Sequence, residues 1–291
     1  MRHLEFPDLK LSYNVPETLA ECSTSEYLAL SYLSLQFLSG SISYDEFKVH
    51  AICTLLNIQI SNKFSDDIEI SANIYLLGEL MASYFEDTPD GSKKIILDFL
   101  QIKIPSVKTS FSKYYAPNDS LFEITFGEYA DASRLLDDFN ASGDVFNLYL
   151  LASVLYRKRK PFSKKRKAYK ADKIEKQARH FQKYASPSFI YGVFLQFVSF
   201  KQYLVVAKIP WGGKELDFEI LFEGGEAETE NSIPGIGADS MVFSMAESGV
   251  FGTTEKVRST NFLEIMIHLY DVRKRDIERK KEEDRQNANN K

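Results

Sequence analysis

Cysteine, histidine and tryptophan are scarce in this chain of 291 residues: Cys22 and Cys53, His3, His50, His180 and His268, and Trp211 alone. Two thiols and four scattered imidazoles do not make a zinc ligand set, because only His50 and Cys53 fall within one helical turn and they would supply half a site. Each cysteine lies in an apolar helical pattern, where buried thiols are common, so both are expected in the core and no metal is expected. Glycine is never spaced for a phosphate cradle. The stretches 235–240 and 247–256 lack the GxGxxG and GxxxxGK[ST] patterns, and Gly249 and Gly252 read as helix punctuation. The carboxylate pairs Asp66–Asp67 and Asp137–Asp138 are adjacent residues, which point in different directions on a helix, and neither has a histidine beside it. No serine or threonine sits in a nucleophile elbow. No catalytic residue, cofactor-binding residue or cofactor is therefore expected, and the chain reads as noncatalytic.

Long apolar runs are also missing. The N-terminus has no continuous apolar stretch followed by small residues, so no secretory signal is read and residence in a cytoplasm is expected. The longest apolar segment, 188–207, is interrupted by Gln196, Lys201 and Gln202, which are expensive on a lipid-facing surface; it reads as a core helix, and no membrane partner is expected.

What the chain does have is apolar residues at helical spacing and clear start signals. Ser23 with Glu26, Ser43 with Glu46 and Thr125 with Glu128 form three capping boxes, each ahead of an apolar helical pattern, and Pro187 sits where a first helical turn tolerates a missing N–H. A further helix is expected over 66–85. Residues 1–16 alternate apolar and polar between prolines, as an extended arm or edge strand does, and the β-branched, aromatic runs 95–105 and 120–126 are expected to pair as a small insert. The expected fold is mainly α: a multi-helix bundle with a small β insert and a flexible acidic loop. Its segments are an N-terminal helical unit (1–87), a central helical unit carrying the insert (88–207), the loop (208–237) and a C-terminal helical hairpin with a charged tail (238–291).

Charge is distributed unevenly. Residues 157–183 hold thirteen Lys or Arg against Asp172 and Glu175, a local charge of +11 in a chain whose total is −5, so the remainder carries −16. A cationic strip on an otherwise acidic molecule attracts an acidic partner segment or phosphates there and resists nonspecific adhesion to nucleic acid elsewhere. The candidate partner-binding residues are Arg157, Lys158, Arg159, Lys160, Lys164, Lys165, Arg166 and Lys167, with Tyr169 and Phe181 as interleaved aromatics and Trp211 as a lone anchor in the loop. A solvated charged loop is the plain alternative.

Three pieces of the middle of the chain carry a resemblance: TFGEYADA at 125–132, LYLLASVLYRKRK at 148–160 and ARHF at 178–181. A Phe-Gly-Glu-Tyr element, a helix, then an aliphatic helix ending in a Leu-Tyr-Arg box and a basic run resembles a group of phage and prophage proteins of the Bacteroidota encoded near tail tube and tape-measure genes. The resemblance covers roughly residues 120–205. It implies a noncatalytic morphogenesis role, most directly a tail-assembly chaperone or tail scaffold binding a tape-measure-like protein partner in the host cytoplasm. The alternatives are a nucleic-acid-associated accessory protein using 157–183 and a connector or tail-completion subunit of the virion.

Overall fold

The computed structural model describes residues 1–7, 10–58, 68–110, 112–118, 120–206, 208–221 and 238–289. Among them are ten α-helices, and every sheet is a two-stranded antiparallel ribbon, so the fold is mainly α with small β elements. The first ribbon pairs β1 (Arg2–Phe6) with β2 (Leu11–Val15), so the stretch expected as an extended arm or edge strand supplies two strands.

The capping boxes act as written. Ser23 and Ser43 accept from the backbone N–H groups of Glu26 and Glu46, whose carboxylates accept in return, and they open α1 (Thr24–Leu38) and α2 (Tyr44–Leu55). Gly40 has φ of +70°, a conformation that ends α1 without a Cβ penalty. The helix expected over 66–85 is shorter: α3 (Ile68–Gly78) tightens into a 3₁₀ turn over Glu79–Tyr84, and Asp66 and Asp67 lie outside the described residues.

From Phe85 the chain makes two further ribbons, β3 (Phe85–Asp87) with β4 (Lys93–Ile95) and β5 (Ser106–Thr109) with β6 (Ser112–Tyr115). These replace the expected pairing of 95–105 with 120–126. The extended stretch between β4 and β5 lies along α7 (Pro187–Val206), and helix side chains take the place of a partner strand. Phe99 donates its N–H to Ser199 Oγ at 2.9 Å and accepts from the same hydroxyl, while Gln196 accepts from the Lys103 N–H at 3.2 Å and donates to the Leu100 carbonyl at 3.3 Å. Buried backbone groups need partners of some kind, and here the helix supplies them.

The central helices are α4 (Phe126–Ser142), α5 (Phe146–Leu155), α6 (Ile174–Tyr184) and α7. By length and composition α7 could cross a bilayer, but its apolar face is spent on the core: Phe189, Ile190, Val193, Phe197, Phe200 and Leu204 are all buried. Tyr27 of α1 is buried against it and donates its hydroxyl to the Gly192 carbonyl at 2.7 Å. A Cβ at Gly192 would stand 2.6 Å from Ile104 Cδ1 and 3.1 Å from Tyr27 Cε1, so glycine lets both side chains pack close to α7.

Where a loop was expected over 208–237, residues 208–221 are folded. They form a ribbon, β7 (Lys208–Trp211) with β8 (Lys214–Asp217), and a 3₁₀ turn over Phe218–Leu221; residues 222–237 lie outside the described residues. The chain closes with α8 (Ala238–Glu247), α9 (Thr254–Ser259) and α10 (Phe262–Asn289). One apolar core runs through the elements from Val15 to Tyr270, with Tyr129 of α4 touching Phe197 and Phe200 of α7 and Phe262 of α10.

Candidate docking surface

The base of the cationic strip is a buried ionic cluster. Glu128 completes the capping box of α4, accepting from the Thr125 N–H at 3.0 Å through Oε2. Its other oxygen, Oε1, lies 2.8 Å from Arg157 Nη2 and 3.8 Å from Arg166 Nη2, with side-chain exposures of 1%, 12% and 14% for the three residues. Two guanidiniums thus share one buried carboxylate. These are charge contacts, since neither Glu128 Oε1 nor Arg157 Nε has an aligned hydrogen-bond partner among the described residues. Burial, with Arg157 adding to it and Glu128 opposing, pushes the Arg166 guanidinium down to about 10. Arg166 also donates to the Leu155 carbonyl at 2.6 Å, which caps the C-terminal end of α5.

From this base the strip is an ordered ribbon. Arg157 exchanges backbone hydrogen bonds with Tyr115, at 2.9 and 3.1 Å, which adds the chain to the edge of β6. It then folds back on itself: Lys167 N–H donates to the Lys158 carbonyl at 2.8 Å, Lys160 N–H to the Lys165 carbonyl at 2.9 Å, and Arg159 stands opposite Arg166. The turn runs through Pro161 to Ser163. Phe162 occupies the tip with φ of +54°, its side chain as open to solvent as an isolated one (110%). The Arg159 guanidinium lies over the Tyr115 ring at 3.7 Å, and Lys158 donates to Ser112 Oγ at 2.7 Å while passing 5.3 Å from the Tyr114 ring.

The sequence candidates therefore divide. Lys158, Arg159, Lys160, Lys164, Lys165 and Lys167 are exposed on the ribbon. Arg157 and Arg166 are instead largely consumed by Glu128 and hold the ribbon to α4. Tyr169 is half-buried and donates its hydroxyl to Asp131, which is also held by Arg258 of α9; burial first, then that acidic partner, raises the phenol well above its ordinary range. Phe181 does not face solvent at all. It is fully buried on the inner side of α6, 4.8 Å from the Tyr114 ring and 5.5 Å from Phe189, so it is a core residue and not a contact for a partner. Trp211 is 52% exposed at the β7–β8 turn, where Gly212 and Gly213 take positive φ, and its ring makes no aromatic or cation contact among the described residues.

Of the thirteen cations in 157–183, three are in ion pairs: Arg157 and Arg166 with Glu128, and Arg179 with Glu175. The other ten have no carboxylate partner among the described residues. The strip is thus anchored by an internal acid without being neutralised by it. Two clefts flank the returning strand, sharing Arg157, Lys167, Ala168 and Tyr169. One, of about 420 Å3, lies toward α6; the other, of about 500 Å3, lies toward Glu128 and α9.

The three motifs of the resemblance meet in this structure. In Phe-Gly-Glu-Tyr, Phe126 and Tyr129 enter the core, Gly127 lets α4 approach α9, and Glu128 holds the strip. In Leu-Tyr-Arg, Tyr156 donates to the Ile104 carbonyl at 2.6 Å and Arg157 reaches Glu128. In Ala-Arg-His-Phe, His180 meets Thr109 Oγ1 at 2.9 Å and Phe181 packs beneath β6. The residues that sequence reasoning missed are Glu128, whose capping signal concealed its second task, together with Asp131 and Arg258, which carry no local pattern. The chain matches no protein-family model, no curated protein and no solved structure.

Proposed function

We propose that the chain is a noncatalytic docking protein whose basic ribbon grips an acidic segment of a protein partner, with Phe162 as the apolar anchor. The observation that carries this reading is the pairing of six unneutralised cations, Lys158, Arg159, Lys160, Lys164, Lys165 and Lys167, with a fully exposed phenylalanine on a hydrogen-bonded ribbon. Exposed Lys and Arg around an interface steer encounter and set register more than they add affinity, whereas a buried aromatic anchor supplies a large share of the binding energy. Because the ribbon is already laddered and tied to Glu128, little backbone ordering remains to be done on binding. The resemblance supplies the proposed context, a tail-assembly chaperone or scaffold engaging a tape-measure-like helical chain before tube polymerisation.

The test is a pull-down and a titration with a tape-measure-like helical protein. Phe162→Ser should weaken binding by about tenfold or more through a faster off-rate. Lys164→Glu with Lys165→Glu should slow association and flatten its salt dependence. Full binding by both variants sinks the proposal. Retardation of random DNA that falls steeply with salt and vanishes in the lysine variant would move the reading to nucleic acid.

A further inference from the structure

The cleft between the returning strand and α6 is unlike the rest of the strip. Its wall carries Arg157, Lys158, Lys167, Lys170 and Lys173, and no carboxylate lines it. Four of these five have no acidic partner among the described residues; the fifth, Arg157, shares Glu128 with Arg166 and has its Nε unpartnered. Asp172 lies between Lys170 and Lys173 in sequence but is not part of the wall, and Glu175 is engaged by Arg179. Five cationic residues from three places in the chain, the end of α5, the returning strand and the approach to α6, therefore line one concavity; the Lys158 ammonium is held by Ser112 and the Arg157 guanidinium by Glu128, which leaves Lys167, Lys170 and Lys173 as its free charges among the described residues. The half-buried Tyr169 ring, Ile174 and Ala168 supply an apolar side to the same space.

We infer that this cleft is a binding site for a small polyphosphate, a phosphate chain either free or carried on a compact ring system such as a nucleoside. Lysines without a competing carboxylate match several adjacent negative charges, each ammonium acting as a point donor to phosphate oxygens, while Arg157 stays with Glu128 and adds positive potential behind them. A volume of about 420 Å3 is that of a small-ligand site, larger than a single phosphate fills. The site goes beyond the partner-docking reading: it shares Lys158 and Lys167 with the ribbon, but Lys170 and Lys173 lie off it, away from Phe162, Lys164 and Lys165.

Calorimetric titration of the full chain with inorganic tripolyphosphate, ATP and citrate at physiological salt tests it. Saturable one-to-one binding of tripolyphosphate or ATP is expected, with citrate weaker. Lys170→Glu with Lys173→Glu should lower that affinity by about tenfold or more, whereas Lys164→Glu with Lys165→Glu should change it by less than about threefold. Both double variants alter exposed residues, and their unfolding temperatures check that the fold is kept. Tighter binding of ATP assigns a nucleotide-type ligand, and equal binding assigns the phosphate chain alone; either result supports the site. No saturable binding of tripolyphosphate or ATP, equal loss in both double variants, or binding of oligonucleotides only overturns it.

Discussion

Replacing Glu128 by Gln tests whether one buried carboxylate holds the cationic ribbon in place. The substitution keeps size and hydrogen-bonding shape, so the Thr125 capping box can persist, since Gln serves at that position as well. What is lost is the one carboxylate in ion-pair contact with Arg157 and Arg166 among the described residues, and their side chains are 12% and 14% exposed and so poorly screened by water. Removing one partner from a buried ion pair costs about 3–5 kcal/mol, because the remaining charge stays desolvated. For a chain of this size that is a fall in unfolding temperature of roughly 6–10 °C. Adding Arg157→Met to Glu128→Gln should return about 1–3 kcal/mol of coupling energy in a double-mutant cycle. Hydrogen exchange gives a local readout: the Lys160 and Lys167 amides, protected in the ribbon, should exchange faster in Glu128→Gln before global stability is lost. A Glu128→Gln variant within about 1 kcal/mol of the parent, with both amides still protected, would refute the reasoning.

Three further outcomes are expected. Gly127→Ala should destabilise by about 1–3 kcal/mol in urea unfolding, although alanine is the better helix former, because the new Cβ would meet the Arg258 carbonyl oxygen at 2.9 Å and its Cβ at 3.0 Å; a gain in stability would show that α9 does not pack this closely. His180 is held below its ordinary value of 6.5 by burial first and by Lys158 second. The stability linked to it is therefore fully present above the unfolded-state value and declines as pH falls through the folded one. NMR titration should show that value rising in Lys158→Ala while staying below 6.5, and no movement would place Lys158 elsewhere. Burial pushes the Cys22 thiol up to about 11 against the contact with the Tyr84 hydroxyl, and raises Cys53 as well, so neither should label with a disulfide reagent at pH 8 until the chain is unfolded; rapid labelling of the native chain would contradict their burial.

The helices were legible because their signals are local. Each capping box places donor and acceptor three residues apart, and Ser23, Ser43 and Thr125 open α1, α2 and α4 as their spacing requires. The β elements were not legible in the same way. The run 95–105 has the composition of a strand and an extended backbone, yet its hydrogen bonds go to Ser199 and Gln196, about a hundred residues away on α7. No pattern within the run distinguishes a strand partner from a helix side chain. The same two polar residues explain an ambiguity in α7: Gln196 reads as a flaw in an apolar helix, and it is the group that satisfies the extended segment's backbone.

The cationic strip was legible as charge density and illegible as shape, and the difference decides which residues can act. Counting Lys and Arg treats all thirteen alike, whereas the fold withdraws Arg157 and Arg166 toward Glu128 and leaves the lysines outside. Arginine is suited to the inner places, since its planar guanidinium is weakly hydrated and can serve a carboxylate and a carbonyl together, as Arg166 does with Glu128 and Leu155. Lysine, strongly hydrated, takes most of the solvent positions, which it shares with Arg159 and Arg179. Aromatic residues divide on a different rule. Phe181 falls on the inward face of a helix whose outer face is charged, a periodicity readable in advance, and it is buried. Phe162 follows Pro161 in a turn and takes a left-handed backbone, which no helical pattern reaches, and it is the exposed one. An apolar side chain raised on a cationic ribbon and left unburied by its own chain is the feature that a partner's apolar pocket would remove from water.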